Sequence, residues 1–591
     1  MSDQSQPPAY FQYQPRSIND RAYWNAVAAD PRQRGLIERL NEVVGSIPDV
    51  PVQPKASEFL AARRSNDRAQ TDRYWQSTRA VLSHRVLMRC LDGRTESGID
   101  DSLLDWLWVF LTQPSWVVSA HLPKNDLPLT SAPQLDLAAC EMAANLAETL
   151  ETLKPWIDNQ SGTLAQSIIH EIDRRVLTPF VATGSTWWYD TSAAHVNNWS
   201  GVCAGSILAA CESLAALGQP RPEARAKALH ILNFFLDRAF TPAGECDEGL
   251  GYWNYGVGFA CLGWSRLTEQ ELHREVNMDR LKQVADYPRQ VHLFDNWFYS
   301  GNDAALSAGA PLFATRWLAG ATKQPWLAEW SLTAVPGPWD VRSPCVVGRA
   351  IEASAHLEDR PANMPIPPAS RFVTDQQAAI FQAGPLVVAF AGGHNDECHN
   401  HNDVGHFCVW HNQKLIVPDL GAPFYSTDFF GPKRYTYLTA SSRGHCCPVI
   451  NGQEQLPGKD AHGEILELDL DQQRLSIDFI TAYPPAAHLA RWTRSLARNG
   501  AGYDLVDEYT TTNAGVIEHV IWSTVEPKLG AGKVTLDTLK LTLTPGGDVT
   551  VEPVDPAIHK LRDFSQTLYR IAIKYRTTPN VALKVTTSLS D

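Results

Sequence analysis

The chain has 591 residues, too many for one ordinary hydrophobic core, so we expect at least two large domains. Hydrophobic residues make up 44% and charged residues 20%, a balance typical of folded globular proteins rather than disordered ones. The formal net charge of −14 argues against general nucleic-acid binding, because no basic excess is available to neutralise phosphates. A local basic cleft can nevertheless hold an acidic ligand.

The N-terminal segment, residues 1–19, is rich in Gln, Pro, Ser and Tyr and lacks the apolar run of a signal peptide. No run of about 18 apolar residues occurs, so we expect no membrane contact. Eleven cysteines without a regular framework favour buried free thiols over disulfides. We therefore expect a cytoplasmic protein, or a periplasmic or secreted one if a leader has been removed. A homodimer is left open.

The first part of the chain has apolar residues at helical spacing. They recur every three or four positions in four segments, 135–157, 164–180, 202–217 and 224–240. Gly218 fits the C-terminal position of one helix, and Pro222 lies just before the next. Connections are short and no strict repeat is visible, which predicts antiparallel helix hairpins closing into an incomplete α/α toroid over residues 1–345.

Beyond residue 345 the pattern changes to short strands. Residues 341–370 are rich in Pro, Ala and charge, and predict a linker or an irregular crossover. The strands that follow are separated by turn signals and include 378–381, 386–391, 407–410, 415–417, 465–470, 475–480, 503–509, 517–523, 539–544 and 568–575. So many strands without intervening helices predict a large antiparallel β-sandwich over residues 346–591, and hence a multidomain α+β fold.

The segment His399-Asn-His401 carries the clearest sign of chemistry. Two histidines two residues apart in a β-like segment point to the same side of the sheet. Asp419 follows an apolar run and His445 a turn-rich stretch, and these ligand types suit a divalent zinc-like ion. A polar loop with merely hydrogen-bonded histidines is the alternative. Four nearby cysteines rank below this set as ligands, namely Cys398, Cys408, Cys446 and Cys447.

Five motifs in order resemble those of the heparinase II/III-like polysaccharide lyases, which include glycosaminoglycan and oligoalginate lyases. They are Asn197–Cys203, Asp247–Gly256, His399–Gly405, Pro418–Gly421, and Ser441–His445 followed by Asn451–Gln455. The resemblance runs from about residue 180 to the C-terminus. It implies an α/α toroid followed by an antiparallel β-sandwich, and a carbon–oxygen lyase that cleaves an acidic, uronate-containing polysaccharide or oligosaccharide by β-elimination.

The chemistry of β-elimination explains the residue types in these motifs. A group must neutralise the uronate carboxylate, so that charge can build up on it as the C5 proton leaves. A base removes that proton and an acid protonates the departing O4. Amide or histidine side chains suit the first role, His or Tyr the second, and Tyr the third.

The resemblance assigns catalytic roles to four residues. Asn198 stands where many relatives have a histidine base, which suggests that it neutralises the carboxylate and that the base comes from elsewhere. Tyr255 matches the catalytic tyrosine, with Tyr252 as its rival one turn earlier. His399 matches a histidine that faces the substrate. His195 and His394 are further candidates for the base, and His406 has no assigned role.

The resemblance also implies a metal site and a substrate-binding set. One divalent ion, expected to be Zn²⁺, is assigned to His401, Asp419 and His445 in a structural role. Residues expected to contact the sugar are Asn197, Trp188, Trp199, Asn254, Asn402, Arg434 and Arg443. The motifs do not choose among alginate, heparan, chondroitin and hyaluronan, or between endolytic and exolytic action.

Plainer interpretations compete with these roles. Asn197 or Asn198 could cap the helix that follows, and Tyr252 and Tyr255 could be core aromatics. Arg434 and Arg443 could be solvated or sheet-edge charges. A noncatalytic carbohydrate-binding protein that keeps the lyase fold is the alternative function.

Overall fold

A computed structural model describes residues 8–45, 47, 50–93, 97–190, 192–295, 297–299, 301–304, 311–333, 343–357 and 366–591. The chain divides into two compact units, and each is discontinuous in sequence. The first comprises 1–240, 252–285 and 309–365. The second comprises 241–251, 286–308 and 366–591.

The first unit carries the helices, including most of α11 and α13. Their bounds are α1 Arg21–Ala29, α2 Arg34–Gly45, α3 Ala56–Ser65, α4 Ala69–Leu91, α5 Asp101–Thr112, α6 Leu137–Gln160, α7 Leu164–Ile172, α8 Thr178–Ala182, α9 Asn198–Ala216, α10 Pro222–Arg238, α11 Leu250–Trp264, α12 Glu269–Glu275, α13 Met278–Val291, α14 Leu312–Thr322, α15 Pro325–Leu332 and α16 Pro344–Ala355. Helix α6 packs against α7 and α9, and α9 packs against α10. The predicted succession of neighbouring helices is confirmed.

Helix α9 is the central helix of this unit. It is the one helix among the described residues that is long and apolar enough to cross a bilayer, yet most of it is buried against its neighbours. Glycines let α9 and α11 approach closely: a Cβ on Gly201 would lie 2.6 Å from the Gly256 carbonyl oxygen, and one on Gly263 would lie 2.8 Å from that of Gly205. This contact sets the Asn197–Asn198 motif beside the Tyr252–Gly256 motif.

The second unit carries the strands, and every strand pair in it is antiparallel. Their bounds are β1 His292–Phe294, β2 Trp297–Phe298, β3 Ser370–Val373, β4 Ala378–Ala383, β5 Leu386–Ala391, β6 His394–Asn395, β7 Phe407–His411, β8 Lys414–Val417, β9 Val449–Ile450, β10 Gly458–His462, β11 Glu464–Asp469, β12 Arg474–Asp478, β13 Leu489–Asn499, β14 Gly502–Thr511, β15 Gly515–Ser523, β16 Lys528–Gly530, β17 Lys533–Leu536, β18 Leu539–Thr544, β19 Asp548–Val554, β20 Leu568–Thr577 and β21 Leu583–Ser590.

Three main sheets form the body of the second unit. Their strand orders are β11-β12-β13-β14-β21-β18-β17-β16, β19-β20-β15-β9 and β3-β4-β5-β7-β8. Inward-facing side chains from all three sheets share one apolar core. The predicted antiparallel sandwich is confirmed, and the α+β class with it.

A buried ion pair in this core supports the loops that carry the histidine motifs. Arg494 on β13 and Asp507 on β14 are both fully buried, with Nε 2.8 Å from Oδ1. Arg494 also donates to the carbonyl oxygens of Gly405 and Cys446. Because a buried guanidinium needs all its donors satisfied, these bonds hold both loops against the sheet.

The unit boundary differs from the predicted one at 345/346. Helix α16 lies inside the segment predicted as a linker, and the first unit extends to residue 365. Part of that segment, 341–342 and 358–365, lies outside the described residues. The first unit is also interrupted, because 241–251 and 286–308 join the sandwich unit. A single predicted boundary between two domains could not describe these two segments, which lie within the sequence of the first unit but belong to the second.

Candidate functional site

The toroid unit brings the two asparagines of the first motif to the start of α9. Asn197 is the N-cap residue, and its Oδ1 accepts a hydrogen bond from the Trp199 backbone N–H at 3.1 Å. The capping alternative is therefore confirmed for Asn197, while its contact with substrate stays a prediction. Asn198 is buried, and a Cβ on Gly256 would lie 3.2 Å from its Cα.

Tyr255 on α11 is bound to a buried ion pair that the sequence did not reveal. Its hydroxyl donates to Glu141 Oε1 at 2.9 Å. Glu141 on α6 pairs with Arg79 on α4, and both side chains are buried. The Arg79 guanidinium lies 3.8 Å above the ring of Trp75. The hydrogen bond to Glu141 therefore fixes the direction of the Tyr255 hydroxyl.

The other aromatic residues of this motif have different environments. Trp253 is fully buried and donates to the Val284 carbonyl oxygen at 2.8 Å, as expected of a core residue. Tyr252 is half-buried and Asn254 is 9% exposed. The hydrogen bond to Glu141 distinguishes Tyr255 from its rival Tyr252.

Trp188 was expected to contact sugar, and the structure contradicts this. Its ring is 2% exposed and stacks on Phe180, with centroids 6.5 Å apart and planes 5° apart. A buried ring cannot offer a face to a ligand. Its neighbour Trp187 is 65% exposed and meets Trp199 edge-on, at 4.3 Å between centroids. The exposed aromatic ring at this position is therefore Trp187, which contacts the half-buried Trp199.

The sandwich unit holds the histidine motif in a loop, not in the predicted β-like segment. Residues 398–399 form a turn between β6 and β7, and His399 has a positive φ of 59°. The buried amide of Asn395 pins this loop, with Oδ1 accepting from the Asp403 N–H at 3.2 Å. A left-handed histidine is uncommon, and here the surrounding hydrogen bonds hold it in place.

Asp303 connects His399 and His401. Its Oδ2 lies 2.8 Å from His399 Nδ1, and its Oδ1 lies 2.9 Å from His401 Nε2. Arg434 Nη2 donates to the same Oδ1 at 3.1 Å. Burial opposes ionisation of Asp303, but the hydrogen bonds from both histidines and the charge of Arg434 hold its pKa below the usual range. Ionised Asp303 therefore fixes both imidazole rings.

A cluster of four side chains includes His401 and offers ligand atoms that all lie within 4.8 Å of one another. Its members are His401, Asp403, Asp419 and His445. The predicted set of His401, Asp419 and His445 is thus brought together, and Asp403 is an addition. His445 Nε2 lies 2.7 Å from the Thr439 carbonyl oxygen. The Nδ1 atoms of both histidines are buried; that of His401 has no hydrogen-bond partner among the described residues, and that of His445 lies 3.4 Å from Asp419 Oδ2.

The electrostatics of this cluster favour a cation. Burial disfavours a protonated His445, but the carboxylates of Asp419 and Asp403 outweigh it and raise the pKa of His445 to about 9. Burial raises the pKa of Asp403 as well. Two carboxylates, of which Asp419 is buried and Asp403 partly buried, and two imidazole rings match the ligands of a divalent ion with tetrahedral coordination. The residues present therefore fit the group that the motifs imply.

His406 lies next to this cluster and contacts Asp419. Its Nδ1 accepts from the Cys446 N–H at 2.9 Å, and its Nε2 lies 3.5 Å from Asp419 Oδ2. Burial lowers the pKa of His406 to about 3, so the ring is neutral. Burial also raises the pKa values of Cys408, Cys446 and Cys447, which disfavours the thiolates that would bind metal.

The other residues that were predicted to belong to the site have separate surroundings in the sandwich unit. Arg434 contacts Asp303 and the Asn400 carbonyl oxygen, so it is neither a solvated nor a sheet-edge charge. Asn402 is buried, and its Nδ2 lies 3.3 Å from the Gln455 carbonyl oxygen. Arg443 is half-exposed and pairs with Glu454 at 2.5 Å. His394 is half-buried on β6, and desolvation lowers its pKa. Sugar contacts of these residues stay predictions.

Comparison with known proteins gives no match by sequence but clear matches by structure. Neither a protein-family model nor a curated protein matches the sequence. Heparinase III matches with a TM-score of 0.64 at 12% identity, covering 98% of this chain and 92% of that one. A heparan sulfate lyase from Pedobacter heparinus gives 0.55 at 12%, covering 95% and 83%. Chondroitin AC lyase of Streptomyces coelicolor A3, in complex with chondroitin sulphate, gives 0.53 at 12%, covering 97% and 82%. The chain therefore has the fold of the heparinase-like polysaccharide lyases.

Proposed function

We propose that this protein is a polysaccharide lyase that cleaves a uronic-acid-containing chain by β-elimination and leaves an unsaturated uronate end. The observation that carries the proposal is the pairing of His399 with Asp303. Asp303 Oδ2 holds the ring through Nδ1, and Nε2, the nitrogen that we propose takes the proton, lies 3.6 Å from Glu248 Oε2. The His399 side chain is 19% exposed, which leaves it accessible to a ligand.

The proposed roles divide the reaction among three residues. Asn198 neutralises the uronate carboxylate through its amide, which stabilises the charge that builds up as the C5 proton leaves. His399 removes that proton. Tyr255, whose hydroxyl is positioned by Glu141, protonates the departing O4. This division also accounts for an asparagine at 198, because the base comes from His399.

We further propose that His401, Asp403, Asp419 and His445 hold one zinc ion. The buried His401 Nδ1, which has no hydrogen-bond partner among the described residues, supports it, and two carboxylates balance the 2+ charge. Four protein ligands suit a structural site, whereas the three predicted from the sequence would have left a position for water. When bound, the ion supplies positive charge that joins three loops of the sandwich unit.

The substrate class follows from the proposed chemistry and from the fold. Elimination requires a carboxylate next to the acidic proton, so the substrate is an acidic polysaccharide or oligosaccharide. The similar solved structures include lyases named for heparan sulfate, chondroitin and xanthan. We propose a glycosaminoglycan or alginate type of substrate for this chain.

A panel of uronate polymers tests the proposal. Purified protein is incubated separately with heparan sulfate, chondroitin, hyaluronan, alginate and xanthan, and the ultraviolet absorbance of the unsaturated product is followed. We expect absorbance to rise with at least one polymer. His399→Gln should abolish the rise without loss of fold, because the amide cannot take the proton. No rise with any polymer or its oligosaccharides would refute the lyase.

A noncatalytic carbohydrate-binding protein is the second candidate. It is favoured by the asparagine at position 198 and by the exposed ring of Trp187, which suits stacking on a sugar ring. Retention of a polymer from the panel without any unsaturated product would support it.

A further inference from the structure

The loop before α9 presents a tryptophan to solvent on a tight turn. Thr186 and Tyr189 pair through two backbone hydrogen bonds, with N···O distances of 2.8 and 3.0 Å, and Trp187 and Trp188 lie between them. The Ser200 hydroxyl on α9 donates to the Trp188 carbonyl oxygen. The turn is thus fixed, yet Trp187 stays 65% exposed. A tryptophan held in this way offers an apolar face to a ligand at little cost in conformational entropy.

Trp187 belongs to a row of three rings that ends at a histidine. The half-buried Trp199 stands in the middle of the row. Its ring centroid lies 4.3 Å from that of Trp187 and 4.6 Å from that of His121, with interplanar angles of 60° and 64°. We call these three rings the aromatic row. Its central ring is next in sequence to Asn198, the residue proposed to neutralise the uronate carboxylate.

Asp136 fixes the orientation of His121. Its Oδ2 accepts from His121 Nδ1 at 2.8 Å and from the Val118 N–H at 3.2 Å. Its Oδ1 accepts from the Ala139 N–H at 2.8 Å, as the N-cap of α6. Because Asp136 accepts all three bonds, the proton of the contact with His121 belongs to Nδ1. The His121 side chain is 17% exposed, and its Nε2 makes no hydrogen bond to any described residue, so this nitrogen is available to a ligand.

We propose that the aromatic row binds one sugar ring of the polysaccharide, next to the ring that Asn198 holds. Trp187 stacks on the apolar face of the sugar, and His121 Nε2 forms a hydrogen bond with one of its hydroxyl groups. A sugar ring suits this pairing, because it offers C–H groups on its face and hydroxyl groups at its edge. The inference rests on the proposed function for the identity of the chain as a uronate polysaccharide. It adds a binding residue, His121, that lies outside the five motifs.

Two substitutions of His121 separate sugar binding from support of the fold. His121→Asn keeps a donor near the Nδ1 position, facing Asp136, and removes Nε2. His121→Gln places its amide near the Nε2 position and loses the contact with Asp136. We expect His121→Asn to weaken binding about five- to tenfold with an unchanged melting temperature, and His121→Gln to bind more tightly than His121→Asn but to melt earlier. A purely structural role of His121 predicts the opposite order of affinities.

Trp187→Ala tests the stacking contact, and Trp108→Ala is its matched control. Trp108 on α5 belongs to the same unit, is 58% exposed, and makes no ring contact within the described part of the chain. Trp187→Ala should weaken binding at least about tenfold, because the face on which the sugar stacks is removed. Trp108→Ala should leave the affinity within about twofold of that of the parent protein.

Affinity is measured by calorimetric titration with hexasaccharides of heparan sulfate, chondroitin, hyaluronan and alginate. The parent protein carries His399→Gln, so that no ligand is cleaved during the titration. We expect at least one hexasaccharide to bind. Binding of none would overturn the subsite, and so would parental affinity in either His121→Asn or Trp187→Ala.

Turnover by wild type separates this inference from the lyase proposal. If both hold, His121→Asn and Trp187→Ala introduced into wild type should raise KM with little change in kcat. Hexasaccharide binding that depends on the aromatic row, without any unsaturated product, would refute the lyase and keep the subsite. Formation of the product with an unchanged KM in both variants would refute the subsite and keep the lyase.

Discussion

Glu397 makes a pH-dependent contribution to stability that can be worked out from its surroundings. Glu397 is partly buried beside Asp247, Asp403 and Glu245, and desolvation of its carboxyl together with these charges raises its pKa from 4.5 to about 8 against the hydrogen bond from Asn302. Because the folded pKa lies above the unfolded one, the stabilising contribution is fully present below about pH 4.5. It is lost as the pH rises through 8.

The expected size of this effect is large. A rise from 4.5 to about 8 corresponds to about 5 kcal/mol of stability lost between acid and alkaline pH, of which about 3 kcal/mol is lost by pH 7. Glu397→Gln mimics the protonated acid and cannot ionise. The variant should therefore become steadily more stable than wild type as the pH is raised from 5 to 9.

Urea unfolding at a series of pH values measures this difference. The free energy of unfolding of Glu397→Gln minus that of wild type cancels the titrating groups that do not interact with Glu397. Glu518→Gln is the control, because Arg570 pairs with Glu518 and lowers its pKa against partial burial. That variant should show a difference that does not vary between pH 5 and 9. A flat difference for Glu397→Gln as well would refute the reasoning, since it would mean that Glu397 is ionised throughout.

Three further predictions concern the proposed site. Tyr255→Phe should lower kcat at least about a hundredfold, and Glu141→Gln should lower it less; near-normal turnover of Tyr255→Phe with an inactive Tyr252→Phe would move the acid one turn back. Asn198→Ala should reduce kcat more than it changes KM. Asn197→Ala should instead lower the free energy of unfolding by about 1 kcal/mol, because the helix cap is lost. Turnover and melting temperature, measured together on the two variants, distinguish a catalytic role from a capping role. Protein purified without chelator should carry about one equivalent of zinc by elemental analysis, and less than about half an equivalent in folded protein would contradict the four-ligand site.

Much of the fold could be predicted from local patterns. Strand β5 was predicted with its observed bounds, since both its ends are marked by turn residues. Strand β13 was missed because Arg494, which is buried opposite Asp507, interrupts the apolar alternation. In the sequence, a charged residue of a buried ion pair cannot be told from a surface charge. Its burial becomes evident only when its partner on the neighbouring strand is known.

The site was predictable only where its residues share a motif. His401, Asp419 and His445 were singled out by residue type and resemblance, and Asp403 in the same motif could have been added. Asp303 and Glu141 could not, because each lies about a hundred residues from the side chain it binds. Trp188 was wrongly expected to contact sugar because adjacent tryptophans give no sign of which ring faces the core.

The most direct test of the lyase proposal is cleavage of a defined uronate oligosaccharide in water enriched in ¹⁸O. Elimination adds no water, so we predict that the two product masses sum to that of the substrate, that neither carries ¹⁸O at the cleaved bond, and that one absorbs in the ultraviolet. Products that together contain one added water and one ¹⁸O atom would identify a hydrolase and contradict the lyase.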